Sequence, residues 1–284
     1  MPAAIKKSPK KKKYSPKSKI KKGVPGRWKT GILLILLALS PFYYKHILKI
    51  AAPAWRWISN MGGNPNYRSY KSFNIHIPTN YKIHGIDVSF YQGMIDWQKV
   101  KNMREDSVHI GFAFIKATEG LWLVDPYFRR NWREGQKAGI TCGAYHFFWP
   151  EKSGKLQAMF FLQYVKSLKG RLPPTVDIEV LDRVPPAKMR LELNAFLKQV
   201  ESQTKIKPII YTPLKFYRDY LRGYFDNYNF WIAHYSEPEL NLGDTALWEF
   251  WQHSDKAKVN GIPYVVDFDV FNGDSLAFKK LLVH

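Results

Sequence analysis

From residue 83 onward, short apolar runs alternate with longer stretches in which apolar residues recur at helical spacing. The runs are KIHGIDVSF (82–90), HIGFAFIKA (109–117), GAYHFFW (143–149), PTVDIEV (174–180), KPIIYT (207–212), FWIAHY (230–235), LWEFWQH (247–253) and YVVDFDVF (264–271). Their length and their β-branched and aromatic content predict eight strands. The helices between the early strands have readable ends. Asp125-Pro126 predicts an N-cap with a first-turn proline, Phe128 and Trp132 share a face, and Gly139 closes that helix. Pro185-Pro186 opens another, in which Met189, Leu193, Phe196, Leu197 and Val200 form an apolar stripe. After residue 230 the connections are too short or too polar for full helices. The pattern predicts an α/β fold: a TIM-like β/α barrel over 83–284 with an incomplete outer helix ring. A doubly wound sheet is the alternative, but the chain has no G-x-G-x-x-G and no Walker sequence to support it.

The pattern before residue 83 is different. Lys6 to Lys29 carries twelve basic residues, three prolines and almost nothing apolar, so residues 1–30 are expected to be a disordered tail. Gly31 to Tyr44 then holds no charge in fourteen residues, and apolar positions resume beyond Lys45 and Lys49. Fourteen residues are short for a spanning helix, which needs about 20. With the two lysines snorkelling, and Trp55 and Trp57 at the interface, 31–54 is expected to be a transmembrane signal anchor. Cleavage after Ala54, which would release a secreted protein, and a buried core helix are the alternatives. The basic flank stays inside, so with an anchor or a cleaved signal the rest of the chain is expected outside the cytoplasm. Residues 55–82 are expected to be a linker.

Composition changes the picture mainly through its asymmetry. The formal charge is +21, yet residues 1–84 hold 18 of the 44 Lys and Arg and none of the 23 acids. The remainder has 26 basic against 23 acidic residues, a balance of +3 that excludes a nucleic-acid-binding domain. The basicity serves topology and lipid attraction. One cysteine, Cys142, excludes an intramolecular disulfide framework and is expected to be a buried structural thiol. Eight histidines without H-E-x-x-H or close pairing argue against a metal site, and there is no G-x-S-x-G. No cofactor is implied.

Candidate chemistry lies where barrel strands end. Four acids interrupt otherwise apolar runs: Asp87 in strand one, Asp177 and Glu179 in strand four, and Asp267 in strand eight. A charge in such a run is costly unless paired or functional. Asp177 and Glu179 stand at i and i+2 and share a strand face, so their pKa values are pushed apart and one stays protonated. That is glycosidase equipment. Tyr145, Trp149, Tyr211, Tyr235 and Trp251, near other strand ends, are candidate sugar-stacking surfaces. Asp269, two residues after Asp267, is expected to support its neighbour.

The segments GIDVSFYQG…DW, FAFIKATEG, GAYHFF, PTVDIE, IIYT, WQHS and VDFDVFNG resemble, in order, the glycoside hydrolase family 25 lysozymes, the Chalaropsis-type N-acetylmuramidases. The likeness runs from His84 to Phe278. It implies a flattened barrel that cleaves the β-1,4 bond between N-acetylmuramic acid and N-acetylglucosamine in peptidoglycan glycan strands. By matching position it implies Glu179 as general acid and Asp177 as the group that orients or stabilises the substrate acetamido group. Asp87 and Asp267 complete the acids of the pocket, and Glu119 lines it. Substrate assistance is the expected mechanism; a carboxylate nucleophile and an inverting water are its rivals. The basic anchor in front departs from relatives that carry wall-binding repeats. It suggests a membrane-tethered enzyme facing a periplasm; separately, the catalytic domain is expected to be monomeric. A non-catalytic glycan-binding module and a hydrolase of another N-acetylated polysaccharide, such as chitin, are the competing functions.

Overall fold

Two-residue alternation along the strands divides the apolar residues into two layers. On β5 (Val108–Glu119), Phe112 and Phe114 belong to an inner cluster while Ala113, Ile115 and Ala117 belong to the outer one. The computed structural model describes residues 66–235, 237, 239–243 and 247–284, which lie in one unit, Gly63–His284. The expected tail (1–30) and anchor (31–54), and residues 55–65 of the expected linker, lie outside the described residues. Among the described residues no helix is long and apolar enough to cross a membrane.

Eight strands close a barrel: β3 (His84–Val88), β5, β7 (Thr141–Phe147), β8 (Thr175–Asp177), β9 (Ile209–Pro213), β10 (Phe230–Ala233), β11 (Trp248–Ala257) and β12 (Val266–Phe271). The pairings from β3 through β5, β7, β8, β9 and β10 to β11 are parallel. β12 runs the other way and pairs antiparallel with both β11 and β3. The closed α/β barrel is the one expected; the direction of its last strand is an added finding. A reversed strand needs no helical crossover, which is why the short connection 258–265 suffices. Three shorter strands lie off the barrel: β1 (Tyr67–Tyr70), β2 (Ile75–Pro78) and β4 (Arg104–Glu105); β6 (Leu123–Val124) pairs with the end of β5.

The inner cluster fills the barrel with Phe112, Phe114, Tyr145, Tyr211, Trp231, Phe250 and Phe271. Phe114 stacks on Trp231 with ring centroids 4.3 Å apart. Such rings need room from their neighbours. A Cβ at Gly85 would stand 2.3 Å from the Phe112 ring, and one at Gly143 would stand 2.6 Å from Phe114.

Outside the strands lie α1 (Trp97–Asn102), α2 (Phe128–Lys137), α3 (Gly154–Tyr164), α4 (Pro186–Thr204), α5 (Leu214–Phe216) and α6 (Ser275–Leu281). In α4 the five stripe residues, from Met189 to Val200, are all buried, and Pro186 opens the helix. The start of α2 differs from expectation. Its N-cap is Tyr127 and no side chain caps it. Asp125 Oδ1 accepts from Tyr127 N at 2.9 Å, and Oδ2 reaches across to Phe90 N at 2.6 Å. That carboxylate ties a loop to the helix start instead of capping the helix. Gly139, at φ 78°, ends it as the left-handed C′ residue.

The β1–β2 hairpin packs on the outer side of β11 and β12. Phe73 is fully buried, with its ring 5.4 Å from Phe268, and its carbonyl accepts from Lys258 N at 2.9 Å. Tyr81 packs edge-on against Trp251 at 5.8 Å. Residues 67–81, expected within a linker, thus pack against the outside of the barrel. Burying a ring such as Phe73 contributes about 2 kcal/mol, which a solvated linker could not.

Candidate active site

The parallel strands deliver their carboxyl ends, and reversed β12 its amino end, to a single mouth. The register sets Asp267 directly opposite Asp87. Asp267 therefore reaches the mouth from the start of its strand, whereas Asp87 and Asp177 reach it from the ends of theirs. Glu179 stands two residues beyond β8, which is shorter than the run 174–180 suggested. A cavity of about 260 Å³ opens here and brings together Asp87, Asp177, Glu179 and Asp267 with Tyr145, Tyr211 and Tyr235. Ser89, Tyr91, Lys116, Phe147, Trp231 and Gln252 complete its lining.

Asp177 and Glu179 are within side-chain hydrogen-bond reach of each other. Burial pushes the Asp177 carboxyl well above the usual range, the Glu179 charge pushes it further, and the Lys116 charge opposes them. Burial also raises Glu179, against the hydrogen bond from Asp177 and the charge of Lys116. Both carboxyls are thus shifted toward the protonated form, Asp177 more strongly than Glu179. Lys116 Nζ donates to Glu119 Oε2 at 2.7 Å in a largely buried ion pair. Glu119 enters the site through that lysine and is not itself part of the cavity lining.

The floor is a hydrogen-bonded chain. Gln252 Nε2 donates to Asp87 Oδ2 at 2.7 Å, while Gln252 Oε1 accepts from the hydroxyls of Tyr211 at 2.9 Å and Tyr235 at 2.6 Å. Trp231 Nε1 donates to Asp269 Oδ1 at 2.8 Å. Burial first, then Asp255 and Glu179, pushes Asp267 up to about 7. Among the described residues no group of three or more His, Cys, Asp or Glu side chains is arranged to hold a metal ion.

Two expected sugar-stacking residues are elsewhere. Trp251 is fully buried in the outer layer, its Nε1 donating to His234 O at 2.7 Å. Its neighbours Phe250 and Gln252 face inward, so strand parity excludes Trp251 from the mouth. Trp149 is likewise outside the cavity lining; its ring lies 6.1 Å from that of Trp122. Sequence reasoning missed Lys116, Gln252 and Trp231. The same parity signals each of them, since Lys116 follows Phe112 and Phe114 at steps of two. Cys142 is buried in the outer layer, and burial pushes its thiol up to about 12.

Known proteins agree with this architecture. The chain is 48% identical over 207 residues to the uncharacterized protein YegX of Escherichia coli K12, covering 73% of this chain and 76% of that protein. It is 35% identical over 214 residues to Lysozyme M1 of Streptomyces globisporus, covering 70% and 71%. Among solved structures, a family 25 glycosyl hydrolase from Bacillus anthracis superposes with a TM-score of 0.66 at 32% identity, over 75% of this chain and 99% of that one. The sequence profile of the glycosyl hydrolases family 25 matches residues 86–262. On fold, sequence and the acids gathered at the barrel mouth, the chain belongs to glycosyl hydrolase family 25.

Proposed function

We propose that this protein is a peptidoglycan hydrolase of the lysozyme type, cleaving the β-1,4 bond between N-acetylmuramic acid and N-acetylglucosamine. The observation that carries the reading is the Asp177–Glu179 pair, shifted toward the protonated form beside a tyrosine-walled cavity in a chain similar to Lysozyme M1. Glu179 is the general acid and Asp177 its partner. In the resting pair Asp177 holds the proton and donates it to Glu179. When the substrate acetamido N–H arrives, the proton crosses to Glu179 and the Asp177 carboxylate accepts that N–H. Glu179 then protonates the leaving glycosidic oxygen as the acetamide oxygen bonds to the anomeric carbon. Water, deprotonated by Glu179, opens the cyclic intermediate and restores the proton. Asp87 and Asp267 supply the remaining polar wall, Tyr145, Tyr211 and Tyr235 the sugar-facing surface. All of these groups come from one chain, which acts as a monomer.

The test is digestion of purified peptidoglycan by the full-length chain beside Glu179→Gln, with fragments identified by mass spectrometry and reducing-end analysis. Wild type alone should release fragments ending in reducing N-acetylmuramic acid. No release by either folded protein would sink the reading in favour of a binding module or another glycan. NMR of the fresh product should show retained anomeric configuration; inversion, or a trapped covalent glycosyl-enzyme, would overturn substrate assistance.

The basic leader and the uncharged run 31–44 support a membrane tether that keeps the enzyme outside the cytoplasm, facing a periplasm. Fractionation should find the full-length chain in the inner membrane and protease in the periplasm should cleave it; a soluble cytoplasmic pool would refute this.

A further inference from the structure

Beneath the mouth lies a second carboxyl pair, formed by Asp87 on β3 and Asp269 on neighbouring β12. Asp269 is fully buried, and no protein N–H or hydroxyl donor reaches its Oδ2. Asp87 and Asp269 are diagonal neighbours on one face of the paired strands, since Asp87 is the register partner of Asp267 and Asp269 that of Gly85, and their carboxyls are within side-chain hydrogen-bond reach of each other. Each member has one fixed N–H donor: Trp231 Nε1 to Asp269 Oδ1 at 2.8 Å, and Gln252 Nε2 to Asp87 Oδ2 at 2.7 Å. The orientation of Gln252 is itself fixed, because its oxygen accepts two tyrosine hydroxyls.

The charged groups acting on Asp87 are carboxyls: Asp267 and Asp269 from β12 and Asp177 from β8. Tyr145 of β7, Tyr211 of β9 and Tyr235 beyond β10 face it as neutral phenols. Lys116 of β5 is engaged with Glu119. Two touching carboxylates in so dry a place cannot both be ionised at neutral pH. Burial pushes both Asp87 and Asp269 well above the usual range, and the charge of Asp267 adds to each. The two N–H donors offset each other, and the hydrogen bond from Asp87 favours charge on Asp269, so the bridging proton belongs on Asp87.

We propose that Asp269 is a positioning residue: a single proton bridges the pair, donated by Asp87 to the Asp269 carboxylate, so that Asp87 faces the substrate uncharged. The proposal rests on the glycosidase reading of the cavity and deepens it. A neutral Asp87 cannot be the covalent nucleophile. Its charge, displaced to the floor, does not repel the Asp177 carboxylate that forms during turnover.

The test pairs kinetics with spectroscopy on the full-length chain. Asp269→Asn keeps the shape and the bond from Trp231, but its amide can donate to Asp87, which then ionises. We expect kcat at pH 7 to fall about tenfold with KM within about twofold, and the basic limb of the kcat profile to move down by about one pH unit. A purely structural role would lower the melting temperature or kcat and leave the limb in place; that result would overturn the proposal. Should the variant not fold, wild type labelled with 13Cγ-aspartate decides. The Asp87 signal, assigned by its loss in Asp87→Asn, should sit at the protonated position at pH 7; an ionised signal there overturns the proposal. Glu179→Gln is measured alongside. Turnover surviving in that variant would break the assignment of the acid, whereas an unmoved limb or an ionised Asp87 would break only the proton bridge.

Discussion

The barrel mouth contains two carboxyl pairs of the same chemistry in different company. Asp177 and Glu179 stand at the rim, with the Lys116 charge acting on both. Asp87 and Asp269 stand on the floor, where the charged groups acting on Asp87 are all carboxyls and each member has one neutral donor, the Gln252 amide for Asp87 and the Trp231 indole for Asp269. Burial raises both pairs; what differs is whether a cation lets the proton move. Near Lys116 an ionised carboxylate is tolerable on either partner, so the proton can change hands during a reaction. On the floor no charge stabilises the exchange, and the proton stays. Mobility of a proton thus follows from the neighbours of a pair more than from the pair itself.

That contrast can be broken from the rim downward. Glu179→Gln, nearly isosteric, should lower turnover by about 10³ or more while circular dichroism and melting stay unchanged. Asp177→Asn should cost about 10² in kcat, because the amide cannot relay a proton; steady-state kinetics on a soluble glycan fragment would check it. Lys116→Met sharpens the comparison most, since it makes the rim resemble the floor. The rim proton should be held to higher pH, moving the basic limb of the rate profile upward, and Glu119 loses its buried partner. An unmoved limb would mean that the cation does not set the difference. The smallest expected effect is on stability. Asp267 is raised from an ordinary 3.8 to about 7, so its contribution is fully favourable below pH 4 and is lost as pH rises through 7. Asp267→Asn should raise the melting temperature at pH 8 by about 3 °C and leave it unchanged at pH 4; calorimetry at the two pH values would test that sign.

Much of this architecture was legible from alternation alone. All eight runs became barrel strands, and the stripe on α4 is buried as its spacing predicts. The four acids meet because they occupy inward positions near strand ends. Three features were not legible. The direction of β12 depends on pairing with a strand far away in sequence, which no local pattern records. The hairpin at 67–78 is polar on one side and short, so it reads as a linker until Phe268 and Trp251 need covering. Trp251 was assigned to the site by its chemistry, although parity with Gln252 places it on the other face. Lys116 shows the converse: parity pointed to it, but a lysine in a strand suggests an exposed edge until its buried partner Glu119 is found three residues on.

Asp87 and Asp267 are register partners across 180 positions of chain, and β12 closes the barrel against β3. A ribosome making this protein lays down Asp87 early and must extend the chain through Phe271 before the acid cluster can assemble. Pairing over so long a loop is also slow to nucleate. Until that seam closes, Asp267 and Asp269 are not held beside Asp87 and the acid cluster is incomplete. Closure of the β3–β12 seam is therefore the folding step that completes the site.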